Sequence, residues 1–125
     1  MIYSLSPNKK CYFYFVVSNK IRTFAAKSKY MEKELFRAII AENQEYIGRI
    51  PLVQRPLDLE EYGNYVFVGV RQAGKSYLLY QRIQQLLANG VDIENIVYVN
   101  FDDERLQGMS VTDFDFILQA YHSMY

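Results

Sequence analysis

The sequence predicts an α/β fold built on an incomplete parallel sheet with flanking helices. Three observations carry this. Two short runs, Tyr65-Val66-Phe67-Val68 and Ile96-Val97-Tyr98-Val99-Asn100-Phe101, are apolar on both faces, as buried parallel strands are. Between them lies a segment of helical periodicity, with Leu78, Leu79, Ile83, Leu86 and Leu87 at its apolar positions. A glycine-bearing loop from Gly69 to Gly74 joins the first run directly to that segment. Strand, glycine loop and helix therefore follow one another in that order.

With 125 residues, 50% of them hydrophobic and 22% charged, the chain has room for one small domain with a modest core. The formal net charge of zero hides an asymmetry. Residues 1–30 carry Lys9, Lys10, Lys20, Arg22, Lys27 and Lys29 and no acidic residue. The remainder carries all fourteen acidic residues, for a net of −6. The break falls at Met31, and three parts follow: a basic extension outside the domain over 1–30, an N-terminal helix and extended linker over 31–64, and the α/β unit over 65–125. The single cysteine, Cys11, excludes an intrachain disulfide and permits a reducing compartment. No apolar run reaches the roughly 18–20 residues of a membrane span. The apolar stretch from Cys11 to Val17 is at the short limit for a secretion signal, and basic residues fill the gap before Ala25-Ala26. A cytoplasmic location is the expectation.

Taken in order, Tyr12 to Val17 is rich in aromatic and β-branched residues and reads as a strand. The basic residues around it would suit a nucleic-acid arm, but a non-domain extension is the simpler reading. Glu32 to about Tyr46 reads as a helix, with Leu35, Phe36, Ile39 and Ile40 on one face and Gly48 as its stop. Pro51 and Pro56 make the next stretch extended, with Ile50-Pro51-Leu52-Val53 as an edge strand. Asp58 to Asn64 is a polar connector turning at Gly63-Asn64. The helix after the glycine loop runs from about Lys75 to Ala88 and stops at Asn89-Gly90. Ser110-Val111-Thr112-Asp113 resembles a capping box, opening a last helix with Phe114, Ile117, Leu118 and Tyr121 on one face.

Gly69-Val70-Arg71-Gln72-Ala73-Gly74-Lys75-Ser76 fits G-x-x-x-x-G-K-[ST], the phosphate-binding loop known as Walker A. The pattern has a physical reason. Triphosphate oxygens need many donors in a small volume, and successive backbone N–H groups from Gln72 through Ala73 to Tyr77 can form an anion nest. Gly69 and Gly74 permit backbone angles and close approaches that a side chain would block. The helix that follows points its N-terminus at the phosphates. Lys75 would set an ammonium against the β- and γ-phosphates, and Ser76 would give its hydroxyl to Mg²⁺. Arg71 fits either a phosphate contact or a solvated loop position.

Asp102, Asp103 and Glu104 end the second strand, where ligands sit in open α/β sheets, but a solvated turn accounts for them more simply. His122 reads as an ordinary residue of the last helix. The twelve tyrosines are spread along the chain and read as packing residues rather than a stacking platform.

From Met31 onward the chain resembles a prokaryotic P-loop ATPase family of the AAA+ type. The residues that carry this are Arg55-Pro56-Leu57, Gly69 through Leu79, and Ile96 through Leu106 with its Asp102-Asp103-Glu104-Arg105-Leu106 ending. Where the family usually has proline after the first loop glycine, this chain has Val70. The resemblance implies a RecA-like parallel sheet of order 5-1-4-3-2, ATP and Mg²⁺ as cofactors, and a nuclease-like C-terminal domain. It also implies a Walker B strand ending in acidic residues, later sensor residues and an arginine finger, none of which follows the second strand here. The chain thus reads as an N-terminal fragment whose two strands lack their ordinary neighbours. A marginal fold, aggregation, or pairing with something non-native is expected.

The function expected is ATP binding by a segment of an AAA+ type ATPase, with hydrolysis requiring the absent part. The alternatives are a non-functional remnant, or another P-loop protein such as a kinase or GTPase; no Asn-Lys-x-Asp guanine motif is present. The expected partners are the nucleotide, with self-association or the missing C-terminal part.

Overall fold

The computed structural model describes residues 2–4, 12–16, 33–60, 65–70 and 72–125, the first two segments through their backbone. Helix α1 spans Lys33–Arg49. Phe36, Ile39, Ile40 and Ile47 are buried on it, three, four or seven residues apart, so that one stripe faces inward. It runs past the expected stop at Gly48, which lies inside the helix with open space around it. Ile47 gains burial by that extra turn, and Ile50 still donates to the Tyr46 carbonyl at 3.1 Å. Pro51 then ends the helix, because proline disfavours helical backbone in the residue before it.

Helix α2 spans Lys75–Ala88, as its periodicity predicts. It closes on Asn89 and Gly90, whose φ of 87° lets its own N–H and that of Val91 return to the Leu87 and Leu86 carbonyls. Helix α3 spans Phe114–His122, after a 3-10 turn at Val111–Asp113. The Asp113 carboxylate accepts from the Ser110 N–H at 2.7 Å, the reciprocal half of a capping box.

Among the described residues the sheet has three strands: β1 (Ile2–Ser4), β2 (Tyr12–Val16) and β3 (Ile96–Asn100). Strand β2 pairs parallel to β3, Tyr12 opposite Ile96 and Val16 opposite Asn100, and β1 pairs antiparallel to β2. The sheet is therefore mixed, not the parallel sheet expected. Its partner for β3 comes from residues 1–30, which the sequence places outside the domain.

Tyr65–Val68, expected as the first central strand, is irregular. Among the described residues no strand lies beside it to complete a ladder. Its side chains keep a strand's alternation all the same: Tyr65 and Phe67 pack on the core, while Val66 and Val68 are 64% and 90% exposed. Ile50–Val53 is not an edge strand either, and Val53 points outward. Pro51 has no N–H for a ladder. The Gly63-Asn64 turn lies outside the described residues.

Strand β3 is buried on both faces. Val97 and Val99 join Phe36, Ile39 and Ile40 of α1 and Ile117, Ala120 and Tyr121 of α3. Ile96 and Tyr98 join Ile47 of α1 and Leu79, Ile83 and Leu86 of α2. One strand thus separates two apolar clusters, and α1 reaches both. Phe114, expected on the packed stripe of α3, is 42% exposed and rests against the Phe101 ring. Side-chain amides of α1 serve the β3 backbone. Asn43 donates to the Tyr98 carbonyl, and Gln44 Nε2 donates to the carbonyls of Ile93 and Ile96 at 3.0 and 2.9 Å. The bonds to Tyr98 and Ile96 satisfy carbonyls of β3 that a neighbouring strand would otherwise take.

Gln44→Leu removes the donor to two carbonyls while keeping the bulk. The Ile93 carbonyl keeps the Ile96 N–H, so the expected loss is about 1–3 kcal/mol, the cost of leaving the partly buried Ile96 carbonyl without its amide donor. Urea unfolding of the variant and the parent checks this, and an unchanged midpoint rejects it.

Candidate functional site

The loop of interest is held from two sides. On one side the irregular segment 50–59 runs along α2 as a strap. Gln84 Nε2 donates to the carbonyls of Ile47 and Ile50, both at 2.9 Å. One turn nearer the loop, Gln81 Oε1 accepts from the Arg55 N–H at 2.9 Å while its Nε2 donates to the Arg55 carbonyl at 2.7 Å. Gln81 is 2% exposed; it lies on the side of α2 turned away from Leu79, Ile83 and Leu86, beneath the strap, where one backbone unit both donates to it and accepts from it. These amides replace the ladder that prolines deny the strap. On the other side, Tyr65 and Phe67 anchor the approach to the loop, and the Tyr65 hydroxyl accepts from the Glu60 N–H at 2.7 Å.

Between these anchors the backbone turns sharply. Ala73 donates to the Val70 carbonyl at 3.2 Å. Gln72 has φ of 62° and Gly74 has φ of 78°. A left-handed glycine is cheap. A left-handed glutamine costs about 1–2 kcal/mol, and strain of that kind clusters at functional sites. A Cβ added at Gly74 would also lie 3.1 Å from the Arg55 guanidinium, but that is the flexible end of an exposed side chain, so the left-handed backbone is what calls for glycine. Gly69 is not so constrained: a Cβ there would meet the Ala73 and Lys75 side chains at an ordinary 3.8 Å.

Helix α2 begins at Lys75, immediately after Gly74, and its first bond in the ladder runs from Leu78 N–H to the Gly74 carbonyl at 3.2 Å. The N–H groups of Lys75, Ser76 and Tyr77 precede it and belong to the helix's open end, which carries partial positive charge. Lys75 folds back over the loop, its Nζ donating to the carbonyls of Gly69 at 2.9 Å and Val70 at 2.7 Å. The structure therefore brings Gly69, Gln72, Ala73, Gly74, Lys75, Ser76 and Tyr77 into one turn at the head of α2. Arg71 lies outside the described residues. The Tyr77 ring, half exposed, meets Tyr80 edge-on at 5.5 Å, and Tyr80 meets the buried Tyr98 in turn. Burial pushes the Tyr98 hydroxyl's pKa well above the ordinary tyrosine range, so this ring packs as a neutral group.

Sequence reasoning missed the contribution of Arg55 as a side chain. Its Nη1 donates to the Ala73 carbonyl at 3.2 Å, from eighteen residues away. The sequence carries little signal for it: Gln81 falls with Tyr77 and Gln84 on the face of α2 opposite Leu79, Ile83 and Leu86, where a solvated glutamine is the ordinary expectation.

The acidic run at the end of β3 is a turn. Asp103 accepts from the Arg105 N–H at 2.9 Å and from its guanidinium at 2.8 Å, and Arg105 Nη2 also meets Glu42 of α1 at 2.8 Å. The cluster ties the turn to α1. Among the described residues no group of three or more His, Cys, Asp or Glu is placed to hold a metal ion.

The hydrogen bond from Arg105 holds the Asp103 carboxyl below its usual range. The folded state then favours the ionised form. This contribution is present above the unfolded pKa, near 4, and is lost as pH falls through the lower folded value. Asp103→Asn is expected to flatten the acid limb of the stability–pH profile below about pH 4. Thermal melts across pH 2–6 check this, and an acid limb identical to the parent's rejects it.

Among the described residues no helix is long and apolar enough to cross a membrane. Comparison with known proteins places the loop in a family. A family model described as AAA domain matches residues 61–125, just over half of the chain. The chain is also 28% identical over 101 residues to the uncharacterized protein MJ1544 of Methanocaldococcus jannaschii. That match covers 79% of this chain and 22% of the relative. No solved structure matches significantly. The chain belongs to the AAA domain family.

Proposed function

We propose that the turn at the head of α2 binds the triphosphate of ATP and that this chain is the phosphate-binding segment of an AAA+ type ATPase. The observation that carries the reading is the position of Lys75. Its ammonium is folded over the loop onto the carbonyls of Gly69 and Val70, next to the open N–H groups of the first turn of α2. A lysine, a helix N-terminus and a left-handed glycine gathered in one turn suit an anion with several oxygens.

In this reading the N–H groups from Gln72 to Tyr77 hold phosphate oxygens, that of Ala73 leaving the Val70 carbonyl it now meets, with Arg71 as a further candidate. Lys75 exchanges the loop carbonyls for phosphate. Ser76, half-buried in the first turn of α2, offers its hydroxyl to Mg²⁺. Bound Mg²⁺ would supply charge neutralisation at the phosphates. The residues present fit the phosphates better than they fit a complete metal site, since within Gly69–Ser76 only Ser76 carries a hydroxyl or carboxylate for the ion. Hydrolysis is accordingly assigned to a longer protein. The chain spans 22% of the relative it matches.

Titration of a fluorescent ATP analogue against the 125-residue chain tests the reading. Lys75→Ala is expected to weaken binding by about tenfold or more, the loss of one charge-assisted contact. Equal affinity for parent and variant would sink the proposal.

A further inference from the structure

We infer that Arg55 is a phosphate-binding residue of this site, supplied from outside the Gly69–Ser76 motif. The inference rests on the nucleotide reading above. Arg55 lies in the strap, yet its guanidinium reaches the turn where α2 begins. Nη1 donates to the Ala73 carbonyl, and Nη1 and Nη2 lie 3.2 and 3.1 Å from where a Cβ on Gly74 would be. Gly74 and Ala73 directly precede Lys75, so a second cation stands at the loop on which the first is folded.

How Arg55 is held separates this from a chance surface contact. Gln81 grips both backbone polar groups of the residue, from a position 2% exposed on α2. Pro56 restrains Arg55 further toward extended backbone. Gln81 is six residues beyond Lys75 on the same helix, about 9 Å along its axis. The root of the arginine is therefore fixed to the element that carries the lysine, and only its side chain spans the distance back to the loop. Such anchoring lowers the entropy lost when a long side chain engages a ligand.

The guanidinium is under-used as it stands. It has five N–H donors. Among the described residues it gives one hydrogen bond, at 3.2 Å and exposed to solvent, and it forms no ion pair. The other strap-to-helix bonds already hold the segment, so that single bond adds little to the fold. A planar, permanently charged fork with spare donors suits phosphate oxygens. When phosphate enters, Arg55 exchanges the Ala73 carbonyl for it, as Lys75 exchanges those of Gly69 and Val70. Two cations from separate segments then favour ligands with more phosphate charge.

The test uses the 125-residue chain, a fluorescent ATP analogue, and displacement by ATP, ADP and AMP. Variants are Arg55→Ala, Arg55→Lys, Lys75→Ala and Gln81→Leu, each with a thermal melt. Arg55→Ala is expected to keep the melt and to weaken ATP about tenfold and AMP less than about twofold. Arg55→Lys should recover part of the ATP affinity. Gln81→Leu should weaken ATP in the parent and add little in the Arg55→Ala background, as expected of coupled residues. Unchanged ATP affinity in Arg55→Ala, with binding lost in Lys75→Ala, overturns the assignment and leaves the loop reading standing. Equal loss of ATP and AMP with a lowered melt also overturns it, as a purely structural role. Binding unaffected by Lys75→Ala removes both readings together.

Discussion

Burial of β3 on both faces is the constraint from which the remaining elements take their places. A strand whose side chains alternate between two clusters must have helices above and below it, and the chain supplies α1 and α3 on one face and α2 on the other. Because α1 contributes Ile39 and Ile40 to one cluster and Ile47 to the other, it sets the separation of the two layers. Helix α2 is then fixed in rotation by Leu79, Ile83 and Leu86, which must point at Ile96 and Tyr98. That rotation decides where its N-terminus opens and where Gln81 and Gln84 face.

The second level of organisation is polar. Four side-chain amides, Asn43, Gln44, Gln81 and Gln84, serve backbone groups that no regular ladder reaches. An amide can donate and accept at once, and Gln81 does so toward a single residue. Amide lacing of this kind is directional where apolar packing is not. It fixes the strap in register with α2, so that position 55, and not 54 or 57, falls opposite the loop.

Much of this was legible in the sequence. The helical stripes, the stop at Asn89-Gly90 and the two-faced character of β3 follow from spacing alone, and the structure places them within a residue or two. The glycine loop was legible because its conformation demands particular residues, and Gly74 with φ of 78° shows why. What could not be read was long-range pairing. Tyr65–Val68 has a strand's composition, but a strand exists only with a neighbour, and composition does not supply one. The same run of Tyr12 to Val16 that reads as peripheral by charge lies beside β3, because pairing depends on which backbone edge is available. The Arg55–Gln81 clasp was invisible for a similar reason: it joins residues twenty-six apart through one buried amide.

The lysine folded over its own loop has a consequence for what that loop can tell apart. An ammonium with two carbonyls at 2.9 and 2.7 Å is already partly neutralised by dipoles. Any anion that enters must take the place of those dipoles, so what it gains is a difference between two interactions and not a full one. A chloride or a single phosphate brings little charge to that exchange, whereas an anion of higher charge brings more to each displaced contact. If the turn binds phosphate as proposed, it then acts as a threshold, favouring anions with enough charge to displace a carbonyl.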